Sequence, residues 1–149
     1  MKKLLPFFVL AVSFSACKKE ALDIVPNELG GTYRSVPGSS VANLLSCVAL
    51  PGGGFSNVAQ LRLNAASPAT ATLIYQPDGQ GILSEKSLSL TAAYRDGVIE
   101  LSYKGRIVGD YRVGTIQDGK RERAAKVLSL MITDSPEANV YVMFRGVKE

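Results

Sequence analysis

The side chains of this chain that could do chemistry are few and far apart. It contains no histidine, which removes the commonest general base, the commonest metal ligand and the usual partner of a serine nucleophile. Ser39 and Ser40 therefore read as cap and turn residues. Asp78, Asp96 and Asp118 each stand directly before a glycine, which is turn chemistry rather than a carboxylate pair. Zinc and calcium ligand spacings are missing. The run Gly52-Gly53-Gly54 lacks the Lys-Ser/Thr of a phosphate-binding loop. The sequence thus points away from an enzyme, a metal site or a cofactor. Two cysteines remain, Cys17 and Cys47.

Cys17 ends a recognisable order. Lys2 and Lys3 are followed by an apolar stretch from Leu4 to Phe14, then by the small residues Ser15 and Ala16. Charged, apolar, then small is the pattern of a secretory signal, and the apolar stretch falls short of the roughly 20 residues a spanning helix needs. A cysteine immediately after the small residues resembles the lipobox of bacterial lipoproteins. The resemblance implies cleavage before Cys17, diacylglycerol on its sulfur and an acylated new amino terminus. Lys18, where Asp would signal inner-membrane retention, implies an outer-membrane or surface location in the cell envelope. More than one acyl chain gives durable attachment, whereas one holds only marginally. The expected organisation is a signal over residues 1–16, a lipidated tether over 17–29 and one domain over 30–149.

With Cys17 lipidated, Cys47 has no partner in the chain. It reads as a reactive thiol, an intermolecular bridge or, given Leu44, Leu45, Val48 and Leu50 around it, a buried inert thiol. Without Lys2 and Lys3, fifteen basic side chains face thirteen acidic ones, a net +2. That is too balanced for a nucleic-acid footprint. The cluster Lys120-Arg121-Glu122-Arg123 reads as a solvated hairpin tip, with anionic headgroups or an acidic partner as the alternative.

These residues must be positioned by an all-β domain. Runs with strand character fall at 32–36, 57–64, 70–76, 82–94, 98–103, 106–115, 123–133 and 140–145. Asp96-Gly97, Lys104-Gly105 and Asp118-Gly119 supply hairpin turns. Period-two alternation places Leu88, Leu90, Ala92 and Tyr94 on one face, and Ile107, Tyr111 and Val113 on another. Val41, Leu44, Leu45 and Val48, behind Ser39 or Ser40, predict one short helix over 39–50, between strands 1 and 2. Eight strands with short sequential connections favour an antiparallel up-and-down barrel, just wide enough for packed side chains or one small ligand.

Gly31-Thr32-Tyr33 on the first strand has the spacing of the lipocalin and calycin Gly-x-Trp motif, with Tyr in place of Trp, and Gly109-Asp110-Tyr111 is similar to that superfamily's Thr-Asp-Tyr turn. The resemblance implies a lipocalin-like barrel whose base is closed by Arg145 stacked on Tyr33, with Gly31 beside them. It also implies binding of a small apolar or amphipathic ligand. Leu44, Tyr75, Leu90, Tyr94, Leu101, Tyr103, Tyr111 and Phe144 are then the candidate pocket residues. The same residues could equally form a solid core. In that case the domain is a protein-interaction or inhibitor module of the envelope, working through loops at 52–55 and 118–123. The partners implied are a membrane, through the anchor, and a small ligand or an envelope protein.

Overall fold

The computed structural model describes residues 22–36, 46–49, 55–75, 83–133 and 141–149, and among these it contains no helix. Nine strands follow one another: β1 (Gly31–Ser35), β2 (Cys47–Ala49), β3 (Phe55–Asn64), β4 (Ala69–Tyr75), β5 (Ser84–Arg95), β6 (Val98–Tyr103), β7 (Arg106–Asp118), β8 (Arg121–Thr133) and β9 (Tyr141–Lys148). From β3 to β9 each pairs antiparallel with a sequence neighbour. β1 and β2 lie end to end in a single lane between β3 and β9. β1 pairs with Leu63 to Gln60 and with Lys148 to Gly146. β2 pairs with Asn57 to Phe55 and with Met143 and Val142. The nine strands thus make an eight-lane closed barrel, which leaves no exposed sheet edge.

The predicted helix does not extend through its last turn. Cys47–Ala49 is strand, and Val48 is fully buried opposite Ser56 and Val142. A single buried residue between two half-buried ones satisfies period-two alternation as well as a helical repeat, and the vacant lane between β3 and β9 decides for strand. Residues 39–45 and 50 lie outside those described. Ser35 and Ser46, at the two ends of the interruption, hold each other Oγ to Oγ at 2.8 Å, and Arg145 N–H donates to the Ser46 Oγ at 3.0 Å. The lane is thereby stitched across the break.

The turns follow their sequences. Asp96-Gly97 and Lys104-Gly105 each place both residues at positive φ (47° and 79°, 50° and 78°), the geometry of tight hairpins that match strand twist. Between β6 and β7 the register shifts past Leu101, which pairs with Gly109 while Ser102 pairs with Ile107. Val108 is the extra residue. This bulge turns Ile107 to the outer face, away from Tyr111, although simple alternation put them together.

Among the described residues, twenty-one buried ones form one core along the barrel axis, including Tyr33, Leu61, Leu73, Leu101, Leu128 and Phe144. A smaller outer cluster packs Ile116, Ala125 and Val127 against Val36 and Val147. Residues 22–30 close the barrel's base rather than standing off as a tether. Ile24 and Leu29 are buried in the main core, the Tyr94 hydroxyl donates to Ile24 O at 3.3 Å, and Lys148 Nζ donates to Glu28 O at 2.7 Å. Apolar residues at both ends of this segment outweigh its charges and Pro26.

Candidate functional site

Of the candidate pocket residues, four are packed into the axis. Leu90, Leu101, Tyr111 and Phe144 are each at most 1% exposed and belong to the main core. Tyr75 is buried, near the β4–β5 connection. Tyr103 is half-buried at the barrel mouth, against the core. Tyr94 lies at the base and is 45% exposed. Leu44 lies outside the described residues. The structure therefore brings Leu90, Leu101, Tyr111 and Phe144 together as core and separates Tyr94 and Tyr103 to opposite ends.

At the base, the ring packing differs from the expected Tyr33–Arg145 stack. Val142, Phe144 and Gly146 take the inward side of β9, so Arg145 points outward, where it donates to Thr115 O at 2.8 Å. Tyr33 instead meets Tyr111 edge-on, with centroids 5.8 Å apart and planes at 84°, a favoured aromatic geometry. The Tyr33 hydroxyl donates to Leu29 O. Lys148 stands opposite Tyr33 in the ladder. Gly31 is needed beside it: its φ is +137°, and a Cβ there would stand 2.7 Å from the Lys148 Cε.

Glu28 and Lys126 complete the base, Nζ to Oε2 at 2.8 Å. Burial alone would push the Glu28 carboxyl up, but the hydrogen bonds from Lys126 and Tyr111 and the Lys126 charge outweigh it and hold the pKa below its usual value. Burial raises the Tyr33 and Tyr111 phenols well above theirs, and Glu28 adds to the effect at Tyr111. Burial likewise raises the Cys47 thiol, which disfavours the reactive thiolate. The arrangement ties the amino-terminal segment to the barrel.

The mouth offers a different surface. An open groove there is lined by Tyr103, Lys104, Arg106, Ile107, Val108, Met131, Ile132 and Thr133. Ile107 and Met131 are 67% and 60% exposed, and Lys104 Nζ sits 5.2 Å from the Tyr103 ring centre. Of this lining the sequence marks Tyr103 as a candidate, but it reads Ile107 on the face of Tyr111 and Val113, and the Val108 bulge carries no sequence signature. The groove's two cations, Lys104 and Arg106, stand on either side of Gly105 in the turn that composition does announce. Of the loops proposed for an interaction module, 118–123 is an exposed hairpin tip pinned by an Arg123–Asp118 pair at 2.9 Å, while residues 52–54 lie outside the described residues. Compared with known proteins, the chain matches no family model, no curated protein and no solved structure.

Proposed function

We propose that this protein is a lipid-anchored interaction module of the bacterial cell envelope, held by acylated Cys17 and engaging a partner protein at the mouth of a solid, lipocalin-like barrel. The observation that supports it is the contrast along the axis. The central residues are closed to solvent, while Ile107 and Met131 stand exposed beside Lys104 and Arg106. Isolated exposed apolar residues are ordinary, but two large ones lining one groove mark a contact surface. The flanking cations favour a partner segment that is apolar with acidic neighbours. Photo-crosslinkers placed at Ile107 or Met131 in the full chain, expressed in its own envelope, should yield a discrete protein adduct. Ile107→Glu or Met131→Lys should abolish it without unfolding the barrel. A small-molecule adduct at the same positions would favour a ligand carrier, and no adduct at either would remove the mouth as the site.

A further inference from the structure

Four of the large exposed hydrophobic residues, Leu22, Val25, Tyr94 and Val113, are 38%, 51%, 45% and 40% exposed, and all lie at the base. Leu22, Tyr94 and Val113 border one shallow cleft, and Val25 is on the turn of the same base segment, where Glu28 N–H donates to Val25 O at 3.2 Å. The end of the barrel opposite the mouth groove thus carries an apolar patch with a tyrosine at its edge. Three of its arginines have acidic partners: Arg95 with Glu100, Arg112 with Asp110 and Arg123 with Asp118, at 3.6, 3.2 and 2.9 Å.

We infer that this base lies on the lipid surface, with Leu22, Val25, Tyr94 and Val113 in the headgroup–acyl boundary and the mouth turned away. The inference rests on Cys17 being the lipid anchor, as proposed above. Only residues 18–21 separate Cys17 from Leu22, and five residue steps span at most about 18 Å. Leu22 is held to the barrel through Ile24, Leu29 and Glu28, so the base cannot stand farther from the bilayer than that short leash allows. Exposed aliphatic side chains at that distance gain by partitioning into the interface, and tyrosine belongs there.

The chain has no tryptophan, so a single introduced one reports its own depth. The full acylated protein carrying Tyr94→Trp, Val25→Trp or Leu83→Trp would be reconstituted in phosphatidylcholine vesicles with brominated acyl chains. Leu83 is 64% exposed and serves as the mouth-side control. The expected result is a blue-shifted emission quenched severalfold more at both base positions than at residue 83. Equal quenching at all three, with the acyl mass present on Cys17, would overturn the docking and leave the anchor standing. Absence of the acyl mass would remove the anchor, and this inference with it.

Discussion

Leu101 and Phe144 are where a filled barrel and a ligand carrier would differ most. As core, they are fully packed, and truncating either leaves a void. Leu101→Ala or Phe144→Ala should cost about 2–5 kcal/mol, measured by urea unfolding. A loss well under 1 kcal/mol would show that the side chain lines a space already open. Cys47 gives a second residue-scale expectation. With its thiol pKa raised by burial, alkylation by iodoacetamide at neutral pH should be much slower than for free cysteine and should accelerate on unfolding. Reaction at the free rate would contradict the packed environment. These residues were only partly legible in sequence: alternation marks a side chain as inward but cannot distinguish a wall of a cavity from a core filler. Which of the two holds depends on how far the opposite wall reaches, and here Tyr33 and Tyr111 meet edge-on in the core that also buries Phe144.

At the scale of elements, strand order and turns were readable because most strands carry stretches of period-two alternation and the β5–β6, β6–β7 and β7–β8 hairpins each carry a turn dipeptide. Three features escaped. The short β2 is read as helix because three residues cannot declare a period, and its pairing partners lie in β3 and β9, far along the chain. The bulge at Val108 depends on register between strands. The base segment reads as a tether because its two buried residues, Ile24 and Leu29, are separated by Pro26, Asn27 and the charged Glu28. That segment makes its own prediction. Lys126→Met removes the partner of the Glu28 carboxylate and should destabilise the protein by about 1–3 kcal/mol, with faster amide exchange over residues 24–29. Unchanged exchange there would mean the ion pair does not hold the segment. Gly109→Ala should be worse, since a Cβ would meet Ser129 O at 2.0 Å.

For the whole molecule, two expectations concern pH and the state of the axis. The Glu28 carboxyl is depressed in the fold, so its contribution is present above the unfolded-state value of about 4.3 and is lost as pH falls through the folded one. The Tyr33 and Tyr111 phenols are raised, so theirs is present below about pH 10 and is lost as pH climbs beyond it. With no histidine in between, unfolding free energy should be nearly flat from about pH 6 to 8; a steep slope in that window would contradict this charge assignment. The most direct test of the solid barrel is a native mass spectrum of the full acylated protein, extracted gently from its own envelope. The account predicts the mass of the chain and its anchor with no further small molecule. A reproducible extra mass, retained under native conditions and released on denaturation, would contradict it.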